Sequence, residues 1–223
     1  MKRAPLVLAT SLGDAPGGPA VAAALAFALA RGGAAVWARP GAEAPRPTLL
    51  ASRAARELEA RLREAGWQAA ARGAICELRL PDDEPAEALA RARAECGDGA
   101  LVAWLGERDW RAAVEHPALA ADAALIRAEL DRDRALAALL AIELRARGVA
   151  PHVVLAAPGA VGARRAQAGI DPGGPLARRA ERIAARIRGP ERGRALRPRA
   201  AEPVGEAGQA LPVVLAAAGA IIV

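Results

Sequence analysis

Short apolar runs alternate with longer helical stretches from the N-terminus to about Ile187, and this alternation limits the fold more than any other feature. The candidate strands are Pro5 to Ala9, Ala34 to Ala38, Ala74 to Leu80, Ala100 to Leu105, Ala123 to Arg127 and His152 to Ala156. Between them lie candidate helices near Ala20 to Ala30, Leu50 to Ala65, Pro85 to Glu95, Arg108 to Val114 and Arg132 to Arg147, with a last one near Leu176 to Ile187. In the second helix Leu50, Ala54, Leu58 and Leu62 recur every fourth residue. The helix near Arg132 repeats Leu136, Leu139, Leu140 and Leu144 behind a capping Asp131; both patterns predict one buried face. Repeated βα units of this size predict an α/β domain: three layers, a mostly parallel sheet of about six strands, and helices on both faces. The helix from Ala20 to Ala30 is apolar nearly all round, as expected of one wedged against central strands, and Gly32-Gly33 ends it.

Charge divides the chain. The formal net charge is +6, yet nine arginines and two glutamates between Arg178 and Arg199 carry +7, which leaves the rest of the chain near −1. The basic character therefore belongs to one segment and not to the α/β domain. After Gly189-Pro190 the residues to about Gly208 are rich in Arg, Pro, Gly and Glu and read as a linker. The expected organisation is a domain over 1–188, a linker over 189–207 and an apolar segment over 208–223. Two cysteines, Cys76 and Cys96, are too few for a disulfide framework and read as reduced core residues. Met1-Lys2-Arg3 precedes an apolar run that breaks at Gly13-Asp14, too early for a secretory signal, so the α/β part is expected in the cytoplasm.

The first strand leads into Thr10-Ser11-Leu12-Gly13-Asp14-Ala15-Pro16-Gly17-Gly18-Pro19-Ala20. Gly13 and Gly18 have the spacing of a phosphate-binding loop, G-x-x-x-x-G-K-[ST]. The lysine that would reach the terminal phosphates is Pro19, and the hydroxyl that would hold Mg²⁺ is Ala20. Proline carries no charge and removes a backbone donor. Gly13, Gly17 and Gly18 thus keep the frame of a phosphate loop without its chemistry, and no cofactor or metal is expected there.

The C-terminus is free of charge from Val213 to Val223. Leu211 to Val223 is 13 residues, about 20 Å as a helix, against about 20 residues needed to span a bilayer. The segment reads as one that dips into a membrane, as the start of a spanning helix that continues beyond Val223, or as an extra buried strand or helix. In the membrane readings Leu211, Val213, Val214, Leu215, Ile221 and Ile222 would contact lipid. Arg192, Arg194, Arg197 and Arg199 would lie on the anionic cytoplasmic face.

Strand, glycine loop, long apolar helix and second strand resemble the opening of the MinD/ParA-type P-loop ATPases. The organisation is similar over about the first 160 residues and specific over about the first 40. The family's extra loop lysine is replaced by Asp14, and its second strand, which usually ends near an aspartate, runs here into Arg39-Pro40. Its Walker B strand corresponds to Leu101-Val102-Ala103-Trp104-Leu105, which reaches Gly106 without an acid; Glu107 and Asp109 come next. These losses imply a degenerate relative without ATPase activity, similar to the TadZ/CpaE localisation factors of Tad (Flp) pilus assembly. The stretch Gly208-Gln209-Ala210-Leu211-Pro212-Val213 resembles the start of the apolar helix in TadE/TadG-like pilus proteins. Together the resemblances imply a scaffold or localisation factor on the cytoplasmic side of the cell membrane. Its partners would be anionic lipid and pilus or secretion proteins, with homodimerisation left open. The alternatives are a nucleotide-binding ATPase with an atypical loop, and a nucleic-acid binder acting through Arg178 to Arg199.

Other chemistry is sparse. Gly159-Ala160-Val161-Gly162 with Arg164-Arg165 comes after the last strand and reads as a loop or an anion contact. His116 and His152 have no partner at metal-ligand spacing. Trp37, Trp67, Trp104 and Trp110 are scattered and form no stacking platform, so nucleic acid is the least expected partner.

Overall fold

The computed structural model describes residues 5–13, 18–41, 43–48, 50–129, 132–156, 175–188 and 221–222. In chain order these form β1 (Leu6–Ser11), α1 (Gly18–Ala30), β2 (Ala35–Pro40), α2 (Arg53–Glu64), β3 (Ala69–Arg72), β4 (Ile75–Leu80) and α3 (Pro85–Glu95). They continue with β5 (Ala100–Trp104), α4 (Glu107–Glu115), β6 (Ala123–Glu129), α5 (Arg134–Ala146), β7 (Ala150–Ala156), α6 (Pro175–Arg188) and β8 (Ile221–Ile222). One sheet runs β3-β4-β2-β5-β1-β6-β7-β8. Every pairing is parallel except the β3–β4 hairpin.

This is the expected three-layer α/β architecture, with eight strands in place of about six. Both additions have a physical reason. Strand β3 reads Ala-Ala-Ala-Arg, which carries no β-branched or aromatic signal, and it forms because the turn at Gly73 (φ +59°) folds it back on β4. Strand β8 pairs only Ile221 and Ile222 with Val154 and Leu155, a length too short to read from sequence. The outer edge of β3 is covered by an extended segment, in which the Thr48 N–H donates to the Ala71 carbonyl at 3.1 Å. At the other side Ala150 donates its N–H to Asp122. The neighbouring Pro151 then has its missing donor on the outer side of β7, where proline is tolerated.

The two faces of the sheet carry different helices. Leu6, Leu8, Val36, Leu78, Leu101 and Ile126 pack under α2, α3, α4 and α5, while Val7, Ala9, Val102 and Leu125 pack under α1 and α6. Successive residues of these strands thus pack on opposite faces, as the pleat requires, and both faces are buried. Helix α2 starts three residues after Leu50: Ser52 caps it by accepting the Ala55 N–H at 3.2 Å. Leu50 is therefore outside the helix and 90% exposed, and the buried stripe is Ala55, Leu58 and Leu62. In α5 the N-cap is Asp133, and Asp131 lies outside the described residues. Leu140 and Leu144 are buried as expected, but Leu136 and Leu139 are exposed.

Half of the basic block belongs to the domain. On α6, Ala177, Ala180, Ile183, Ala184 and Ile187 are buried, while Arg178, Arg182 and Arg186 are exposed. The helix is tied to α1 by Arg188, which donates to the Ala28 carbonyl at 2.6 Å, and by an Arg31–Glu181 pair at 2.6 Å. Both cysteines are free and buried. Desolvation chiefly raises each thiol to about 12, so they are unreactive at neutral pH.

At the N-terminal ends of the strands, buried Arg93 of α3 reaches the Leu119 carbonyl and pairs with Asp122 at 3.0 Å. The same Asp122 oxygen accepts the Leu6 N–H at 2.7 Å. Removing the carboxylate leaves a buried cation and the first amide of β1 short of an acceptor, so Asp122→Ala is expected to cost about 2–3 kcal/mol in chemical denaturation.

His152 is buried on the α1/α6 face of β7, and desolvation, with the Arg186 charge beside it, lowers its pKa to about 4. The unfolded chain binds this proton below about 6.5, whereas the folded chain resists it to about 4. Stability should therefore fall as pH drops through that window, by about 3 kcal/mol in total. Denaturation midpoints of wild type and His152→Leu across pH 4 to 7 check this; the variant should lack that part of the acid limb.

Candidate functional site

In open α/β sheets ligands bind beyond the carboxyl ends of the strands, and there β1, β5 and β6 bring the glycine loop to one edge. Leu12 leaves β1 by donating its N–H to the Arg127 carbonyl of β6 at 2.8 Å. Gly13 is next, with φ +58°, a left-handed turn that favours glycine. Residues 14–17, including Gly17, lie outside the described residues, and α1 begins at Gly18. The structure thus brings Gly13 and Gly18 to one end of the sheet, in the order strand, turn, helix that a phosphate loop has.

An indole stands at this edge. Trp104 ends β5, the strand beside β1, and its ring lies against Gly18. A Cβ on Gly18 would collide with the Trp104 ring and with Ser11 Oγ. Gly18 is thus required by close packing. The Ser11 hydroxyl is buried here without a hydrogen-bond partner among the described residues. Pro19 is exposed and Ala20 half-buried; neither can supply charge or a metal ligand.

The charged residues nearby are engaged with one another. Arg132 lies over Gly13, where an added Cβ would meet its guanidinium. It pairs with Asp133 at 3.0 Å and with Glu129 at 3.8 Å. Burial alone would raise the Asp133 carboxyl, but bonds from Arg132 and the Glu129 N–H outweigh it and hold the pKa below its ordinary value. Glu107 and Asp109 fall in the first turn of α4, and Glu107 pairs with Arg111 at 3.0 Å. Helix α4 is fixed by Trp110, whose Nε1 donates to the Leu8 carbonyl at 3.2 Å. No acid therefore extends β5 into the loop edge.

Arg39, where the second strand ends, is bound to Glu77 of β4 by Nε and Nη2, each at 2.9 Å, and lies 5.4 Å from the Trp37 ring centre. Arg72 adds a third cationic contact to Glu77 at 3.6 Å. Sequence reading missed this buried glutamate; its alternation in β4, opposite Trp37 in β2, is the signal that could have found it. Arg39, Pro40, Glu43 and Arg79 rim a slight surface depression here, with no enclosed space for a ligand.

Among the described residues no group of three or more His, Cys, Asp or Glu could hold a metal ion. His116 caps α4 and His152 is buried in β7, on separate elements. Gly159 to Gly162, Arg164, Arg165, Arg192, Arg194, Arg197, Arg199, Leu211, Val213, Val214 and Leu215 lie outside the described residues. Of the apolar C-terminal positions, Ile221 and Ile222 are described, as β8. No described helix is long and apolar enough to cross a membrane.

No family model matches the chain, and no curated protein is significantly similar to it.

If Trp104 and Gly18 are mutually fitted, their substitutions must be coupled. Gly18→Ala should cost about 1–3 kcal/mol through overpacking. In a Trp104→Leu background the same change should cost clearly less, as a double-mutant cycle in urea would measure.

Proposed function

We propose that this protein is a non-catalytic scaffold or localisation factor that works at the cytoplasmic face of the cell membrane. Within that reading it serves a pilus or secretion assembly of the Tad/Flp type, as its resemblances imply. The observation that carries the non-catalytic part is Trp104 against Gly18: an indole, and a hydroxyl without a partner among the described residues, stand at the edge where a phosphate site needs a cation and an acid. Arg132 is already balanced by Asp133 and Glu129. The domain is then a rigid surface for protein contacts.

Support for the membrane part comes from α6 and the arginines on its C-terminal side. Exposed Arg178, Arg182 and Arg186 recur every fourth residue, and Arg192 to Arg199 extend the positive charge toward the apolar segment. A basic stretch near an anionic leaflet gains about 1 kcal/mol per residue close to the surface. Flotation of the full chain with neutral and anionic vesicles tests this. Binding that strengthens with anionic lipid, weakens in salt, and drops when Arg178, Arg182 and Arg186 become Gln supports the reading.

A second reading is favoured by β8. Ile221 and Ile222 pair with β7, so the apolar end would complete the sheet and leave a water-soluble binding module. Absence of flotation under all lipid conditions would select it. In either reading calorimetric titration with Mg-ATP should give no binding heat; measurable affinity lost in Gly18→Trp would instead restore the ATPase alternative.

A further inference from the structure

The two sides of this molecule differ in charge. On the side built by α2, α3, α4 and α5, the helices hold ten arginines against nine acidic residues. Several of these charges meet within one helix, as in Arg53–Glu57, Arg63–Glu59 and Arg111–Glu107. That side is close to neutral. On the other side α1 has no charged residue, and α6 has five arginines against Glu181.

A second basic group lies on the same side, on the sheet itself. Ile75 of β4 packs with α1. Arg72 of β3 stands opposite Ile75, and Glu77 and Arg79 follow it at two-residue steps, with Arg39 of β2 in register with Arg79. The pleat therefore puts all four on the α1/α6 side. An extended segment flanks these outer strands: Glu43 and Pro45 rim the same depression as Glu77 and Arg79, and Thr48 bonds to β3. Arg39 and Arg72 share the single charge of Glu77, at 2.9 and 3.6 Å, while Arg79 is bonded to the uncharged Gln68 at 3.0 Å. Positive charge is left over, and the Arg72 side chain is 55% exposed.

The spread of these groups selects what they fit. Helix α6 packs with Leu125 of β6 and Val154 of β7. Strands β3 and β6 are five places apart in the sheet, about 24 Å at ordinary strand spacing. The two basic groups thus stand on either flank of α1, about three Debye lengths apart at physiological salt. A narrow ligand meets one group or the other. A surface that is negative throughout a plane meets both, and an anionic bilayer is such a surface. Nucleic acid is the poorer match, because the Trp37 ring lies beneath the Arg39 guanidinium and offers no free platform for a base.

We infer that the α1/α6 side is the membrane-facing side of the domain, and that Arg72 and Arg79 form a second contact with lipid phosphates beside the arginines of α6. The inference rests on the membrane reading proposed above and adds an orientation to it.

Co-sedimentation of the full chain with vesicles of phosphatidylcholine, with and without phosphatidylglycerol, tests it. Arg72→Gln combined with Arg79→Gln should weaken binding to the anionic vesicles at least about fivefold. The effect should multiply with that of changing Arg178, Arg182 and Arg186 to Gln, since the two flanks lie beyond the screening length. Arg53→Gln combined with Arg61→Gln removes the same charge from the α2 side and should leave binding unchanged. A second readout needs no loss of affinity. The native cysteines are buried and unreactive, so Arg72→Cys and Arg61→Cys chains can each carry one environment-sensitive fluorophore. Anionic vesicles should shift the emission of the label at position 72 and not of that at position 61.

If the α6 changes weaken binding while the Arg72/Arg79 pair and the label at position 72 do not respond, the second contact is overturned and the membrane reading stands. Equal losses from the Arg53/Arg61 pair would show that net charge alone acts, and would overturn the orientation. Absence of binding to every vesicle removes the membrane reading and this inference with it. Retention of that chain on single-stranded DNA, lost in the Arg72/Arg79 variant, would then assign the surface to nucleic acid.

Discussion

Helix α1 closes one face of this fold, and its small side chains are the constraint on which the rest depends. It packs on β1, β2 and β5 on one side and under α6 on the other, with Ala22, Ala24, Leu25, Ala26, Ala28 and Leu29 all buried. A helix enclosed this fully needs short side chains, so that the sheet and the covering helix can both approach its backbone at close-packed density. Larger residues would push α6 away and separate Arg188 from the Ala28 carbonyl and Arg31 from Glu181, the contacts that hold the two helices together.

The two ends of the sheet are built differently. At the amino ends, Arg93, Asp122 and the Leu6 amide form a connected polar clamp between α3, β1 and the start of β6. At the carboxyl ends the chain has a glycine turn, an indole and a neutralised arginine. The first arrangement fixes strand positions. The second occupies the edge where an α/β protein usually places its ligand, and it does so mainly with packing. The outer surfaces carry two stripes, the exposed arginines of α6 and the exposed apolar residues of α5.

Much of the fold was legible in the chain. Six strands were recognisable because both faces of a parallel sheet are buried, which gives continuous apolar runs such as Leu6 to Ala9 and Leu101 to Ala103. Helix α3 was readable to the residue, from Pro85 at its start to Glu95, since proline fixes the first turn. Strand β3 was not legible, because three alanines and an arginine carry no strand signal. The α5 leucines were misassigned for a different reason. A helix with apolar residues on two faces satisfies the periodicity of either face, so pattern alone cannot say that Leu140 is inside and Leu139 outside.

The candidate site divides in the same way. Sequence by itself determined that the loop lacks its lysine and hydroxyl, because Pro19 and Ala20 are read without any geometry. It also determined that positive charge is gathered near the C-terminus and that the cysteines have no framework to join. Only the tertiary structure decided that Trp104 stands on Gly18, that Glu77 is held by Arg39 and Arg72, and that Leu139 and Ile142 face outward. The reason is physical. Residue identity fixes which chemistry is present, whereas contact between residues as far apart as Gly18 and Trp104 depends on strand order and pleat, which no local pattern encodes.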